Sequence, residues 1–66
     1  MRKYLVLFNH NSKYQDNYAE IEALNKEEAL VSALLTFGNF VVSSVMPADT
    51  HGYYFVTFWR KTKLQT

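Results

Sequence analysis

Between Lys3 and Asn9 two interleaved apolar sets, Leu5 and Leu7 against Tyr4, Val6 and Phe8, run with a period of two. Alternation in which both sets are apolar is the pattern of a central strand covered on both faces. The polar run over residues 10–16 predicts a loop. From Tyr18 to Leu24, Ala19, Ile21 and Ala23 alternate with Glu20 and Glu22, which predicts a half-buried strand. Asn25 is placed to cap a helix, its side-chain oxygen accepting from the N–H of Glu28 while Glu28 reaches back. The helix is expected over Lys26 to Phe37, where Leu30, Ala33, Leu34 and Phe37 recur at helical spacing, and Gly38 can take the left-handed conformation that closes it. Val31 and Leu35 widen the apolar stripe beyond what one sheet face needs, so they give either a broader seat or a second contact. Phe40 to Met46 predicts a third strand, stopped by Pro47. Tyr53 to Arg60 predicts a fourth, with Tyr53, Phe55, Thr57 and Trp59 on one side and Tyr54, Val56 and Phe58 on the other.

The expected fold is α+β, a single domain over residues 1–66 in the order ββαββ, with one helix packed on one face of a four-stranded mixed sheet. The two most apolar strands, first and last, are expected at the centre, in sheet order 2-1-4-3 with the central pair parallel. One helix of about twelve residues is roughly 18 Å long and shields one face of such a sheet. An apolar face is then left bare, and contiguous bare apolar surface marks an interface. Three occupants fit it: a second copy of the chain in a homodimer, another protein anchored on tyrosine and tryptophan, or the bases of single-stranded nucleic acid.

Composition narrows these classes. The 66 residues include 48% hydrophobic and 17% aromatic positions, ample for a core and contrary to disorder. No cysteine is present, so neither a disulfide nor thiolate-bound zinc supplements that core. The apolar run at the amino terminus ends at Asn9 without a small-residue cleavage site, and no apolar stretch approaches the roughly 18 residues of a membrane span. The expectation is a soluble protein of the host cell cytosol. A net charge of +1 argues for no general affinity for nucleic acid. Its distribution is uneven: Asp16, Glu20, Glu22, Glu27 and Glu28 fall in one stretch, while Arg2, Lys3, Arg60, Lys61 and Lys63 lie near the termini. The acids form either ordinary solvated surface or a patch for a basic partner.

The stretch His51-Gly52-Tyr53-Tyr54-Phe55-Val56-Thr57-Phe58 resembles the first ribonucleoprotein motif of RNA-recognition domains, with His51 in place of the basic residue and Tyr54 in place of the small one. That resemblance implies binding of single-stranded nucleic acid through Tyr53, Phe55 and Trp59, with Arg60, Lys61 and Lys63 on the phosphates. The segment from Tyr18 through Val45 resembles small phage host-takeover and anti-defence inhibitors, among them the phage inhibitors of bacterial RNA polymerase. The shared features are a strand ending in a small cap, Glu28-Ala29-Leu30 early in the helix, the stop at Gly38 and a valine-rich strand. It implies a compact inhibitor that occludes a host protein, with Glu20, Glu22, Glu27 and Glu28 against a basic host surface.

No catalytic constellation is evident. With Gly38 and Gly52 the only glycines, no loop cradles a phosphate, and no carboxylates or histidines stand at metal-ligand spacing. His10 and His51 are expected at opposite ends of neighbouring strands, and Glu20 and Glu22 lack the cleft that a glycosidase pair needs. The sequence therefore predicts a non-enzymatic, cofactor-free protein-binding module that forms a homodimer and inhibits a host protein by occlusion, with binding of single-stranded nucleic acid as the alternative. Its expected contacts are Glu20, Glu22, Glu27, Glu28, Tyr53, Phe55 and Trp59.

Overall fold

The computed structural model describes residues 1–57 and 59–61. Along the chain run β1 (Arg2–Phe8), β2 (Asn17–Ala23), α1 (Lys26–Phe37), β3 (Val42–Pro47), α2 (Thr50–Phe55) and β4 (Arg60–Lys61). The α+β class and the four-stranded mixed sheet match the sequence reading. The strand order is β3-β1-β2-β4. The first two strands are neighbours, as in the expected 2-1-4-3, and pair antiparallel with Leu5 opposite Glu20 and Leu7 opposite Tyr18. On its other side β1 meets β3, also antiparallel, in place of the fourth strand. The parallel pair is β2 with β4, at Asn17↔Arg60 and Tyr18↔Lys61.

The departure traces to one segment. The fourth strand expected over Tyr53 to Arg60 is instead a short helix, a turn and two strand residues; Phe58 lies outside the described residues. Asp49 starts the helix by accepting from the N–H of Gly52 at 2.8 Å, and Thr57 ends it by donating its hydroxyl to the carbonyls of Tyr53 and Tyr54. β-propensity measures how well a side chain fits a pleated, half-buried surface. Here the residues of the segment that pack on the sheet are Val56 and half-buried Trp59, while Tyr53, Tyr54 and Phe55 stay exposed.

Both faces of β1 are thereby covered. Tyr4, Val6 and Phe8 point to α1 and pack with Ala19, Ala23, Ala29, Ala33, Val42 and Val45. Leu5 and Leu7 point the other way and pack with Val56, joined by Tyr18, Met46, Ala48 and Trp59. This second layer corrects the expectation of a single helix and a bare sheet face. The first core is closed at one end by an aromatic trio: Phe8 lies 4.7 Å from Tyr14 and 4.9 Å from Phe37, centroid to centroid. Edge strand β3 carries a bulge opposite Leu7 and Phe8 and ends in Pro47. Both features discourage further strand pairing at that edge.

Helix α1 has the predicted limits. Asn25 accepts from the N–H of Glu28 at 2.8 Å, and Gly38 donates its N–H to the Leu34 carbonyl at 2.9 Å. Gly38 has positive φ, as expected, but pairs φ 102° with ψ 154°, a region open essentially to glycine alone and not the left-handed helical one. A Cβ at Gly38 would meet nothing within 4 Å. Alanine there is expected to cost about 1–2 kcal/mol through backbone strain alone. Asn25→Ala is expected to cost about 1 kcal/mol by orphaning a helix N–H. Thermal melts check both, because in a domain of this size each 1 kcal/mol lowers the midpoint by roughly 4–8 °C.

Candidate protein-binding surface

Helix α1 seats on the sheet through its small residues. Ala29 and Ala33, one turn apart, are buried against Ala19 and Ala23 of β2. Four alanines at one contact let helix and sheet approach closely, so the bulky side chains of α1 are displaced to its flanks and outer side. Leu34 and Phe37 are half-buried at the margin of the core. Leu30, expected in the core, is 40% exposed, Val31 is 55% exposed and Leu35 is 83% exposed. Residues three and four apart share a helix face, so Glu27, Glu28, Val31 and Leu35 form one outward stripe, acidic at its start and apolar along the rest. The sequence reading left Val31 and Leu35 between a broad seat and a second contact, and the structure places them off the seat.

Phe40 follows in the turn after α1 and is 93% exposed. The sequence reading put it at the start of β3. Its backbone is nonetheless held: Asn9 donates its side-chain amide to the Phe40 carbonyl at 3.0 Å and its backbone N–H to the Val41 carbonyl at 2.8 Å. An exposed aromatic ring on a fixed backbone loses little conformational freedom when it is bound.

The other predicted contacts do not form one site. Glu20 and Glu22 share the sheet face of Leu5, opposite the face that carries α1, so they do not join Glu27 and Glu28 in one acidic patch. Glu20 is already engaged, 3.5 Å from the Lys3 ammonium and 3.3 Å from that of Lys61. These bridges tie β1, β2 and β4 together at a partly exposed position, so Glu20→Gln is expected to cost only about 0.2–1 kcal/mol. The deficit should shrink near 1 M salt, where the Debye length is about 3 Å; urea melts at two salt concentrations check it.

Tyr53 and Phe55 sit on α2, and neither lines a strand. Trp59 is half-buried against the second core, with Phe55 edge-on at 5.9 Å. The aromatic sheet platform that nucleic-acid stacking requires is therefore replaced by a helix. Arg60 and Lys61 are exposed on β4, and Lys63 lies outside the described residues. Tyr54, missing from the predicted contacts, is 75% exposed and lines a shallow depression with Thr50, Tyr53 and Thr57.

His10 follows the carboxyl end of β1, while His51 lies in the segment anchored near its amino end, where Tyr4 pairs with Pro47. The described residues contain no group of three or more His, Asp or Glu side chains arranged to hold a metal ion. None of their helices is long and apolar enough to cross a membrane. No family model, no curated protein and no solved structure matches the chain.

Proposed function

We propose that this protein is a protein-binding module that presents the outer face of α1, with Phe40 behind it, to a partner. The observation that supports this reading is the arrangement of α1 by size: alanines inward, Leu30 on the flank, and Val31 and Leu35 outward. A helix whose only task was to cover the sheet would gain solubility from polar residues on that outer face. Apolar side chains there have an outlet in binding, since burying a Val, Leu or Phe side chain is worth about 1.5–3 kcal/mol. The resemblance of the Tyr18 to Val45 segment to phage host-takeover inhibitors supports a host protein, occluded by the docked helix, as the partner. A protein partner is favoured over single-stranded nucleic acid because Trp59 packs into a core and Tyr53 and Phe55 stand on a six-residue helix.

The test is capture from nuclease-treated lysate of the source cell, with the parent chain and with a Val31→Asp/Leu35→Asp variant. Both positions are exposed, so the variant should melt within a few degrees of the parent. It should also lose the captured protein. Capture that survives the double substitution, or that disappears with nuclease, rules the reading out.

A further inference from the structure

Resting on the reading of α1 and the turn after it as the docking surface, the backbone around Phe40 points to how that surface is held ready. We infer that Phe40 is an anchor side chain of the surface, and that Asn9, 31 positions earlier in the chain, is the residue that positions it. Val41 donates its N–H to the Gly38 carbonyl at 3.4 Å, so residues 38–41 close a turn with Asn39 and Phe40 at its central positions. Gly, Pro, Asn, Asp and Ser dominate such turns, each for a backbone reason of its own. Phenylalanine supplies none of these, and its ring, 93% exposed, joins neither core. The fold gives no reason for a ring at this place, whereas a docking surface does, because aromatic residues are enriched in protein interfaces.

The turn is held at both ends and from the side. At its start Gly38 donates to the Leu34 carbonyl at 2.9 Å, and at its finish the Val41 carbonyl accepts from the backbone N–H of Asn9 at 2.8 Å. The side-chain amide of Asn9 adds the one bond to a central residue, 3.0 Å to the Phe40 carbonyl. Asn9 is itself fixed. Its carbonyl accepts from the N–H of Ser12 at 3.0 Å and from the Ser12 hydroxyl at 2.7 Å, and its neighbour Phe8 is buried in the first core. The amide bond to Phe40 lies at an exposed position, so it adds little to the stability of the fold. Its effect is to fix the backbone that carries the ring, so that binding has only the ring rotamer left to order.

Three variants of the full chain test the inference: Phe40→Ala, Asn9→Ala and the two together. Asn9→Ala keeps the backbone bond to Val41, so it should melt within a few degrees of the parent. In the free chain, NMR order parameters at residues 39 and 40 should fall in Asn9→Ala from about 0.85 toward 0.6, with those of α1 unchanged. Titrated against the purified protein that the parent chain captures, Phe40→Ala should bind at least about tenfold more weakly. Asn9→Ala should bind about threefold to tenfold more weakly. In the Phe40→Ala background, Asn9→Ala should have no further effect, because Asn9 acts only through the ring. Order parameters that do not move, Phe40→Ala binding as tightly as the parent, or an equal effect of Asn9→Ala with and without the ring each overturn the inference. If Phe40→Ala binds like the parent while Val31→Asp/Leu35→Asp does not, the α1 surface stands and only the anchor is lost. If both bind like the parent, or the parent captures nothing, the surface falls as well.

Discussion

Leu5→Ala should remove a large part of the protein's folding stability. Leu5 has 0% of its surface exposed and sits under Val56 in the second core. Removing a buried leucine side chain costs about 2–5 kcal/mol, the spread reflecting how far the cavity collapses. A chain of this length has a total stability of roughly 3–10 kcal/mol. The second core is small, with Leu5, Leu7 and Val56 its buried members among the described residues, so little can move in to refill the space. Chemical denaturation monitored by the near-ultraviolet signal of Trp59, which packs on the same cluster, measures the loss directly. A cost below about 1 kcal/mol would mean that the 48–59 segment does not cover this sheet face.

Gly52→Ala should act through the same layer but for the opposite reason, excess volume. A Cβ at Gly52 would run into the Pro47 carbonyl oxygen and stand 3.5 Å from Leu5 Cδ1. The nearest obstacle is backbone, which cannot rotate away, so α2 must lift from the sheet or β3 must shift. Overpacking of this kind costs about 1–3 kcal/mol. It differs from Gly38→Ala, where the added methyl has open space and strain is confined to one residue. Hydrogen exchange separates the two variants. Gly52→Ala should deprotect the amides of α2 and of β1 around Leu5, and Gly38→Ala only those at the end of α1.

The difference between these two glycines reflects how much of the fold was legible. Helix α1 could be read because its signals are local and redundant: Asn25 accepts from the N–H of Glu28, the apolar period runs from Leu30 to Phe37, and Gly38 stops it. The central position of β1 could be read because both of its residue sets are apolar, and both are buried. Residues 50–61 misled because a short run of aromatic and branched residues suits a strand and a buried helical turn equally. The signal that could have decided it is Asp49, three residues before Gly52, which repeats the capping arrangement of Asn25 and Glu28. Once that segment is a helix, the sheet order, the bare-face argument for a homodimer and the aromatic platform all change together.

The binding surface was legible only in part. Val31 and Leu35 stood out as surplus to one sheet face, yet nothing in their spacing ranks alanine above leucine as the inward residue. That choice is made by Ala19 and Ala23 on β2, which admit a close helix and leave no room for larger side chains between. Phe40 was unreadable as a presented side chain because its exposure depends on Asn9, 31 residues away, holding the turn.

The most direct test of the outward face of α1 is the accessibility of its methyl groups to a soluble paramagnetic agent in NMR. In the free chain Val31 and Leu35 should relax strongly, while Leu5, Val6 and Val56 should be shielded. After addition of the purified partner, Val31 and Leu35 should become shielded and the methyl of Thr57, beside the exposed Tyr54 of α2, should not change. Shielded Val31 and Leu35 in the free monomer, or unchanged exposure of both in the complex, would contradict the account.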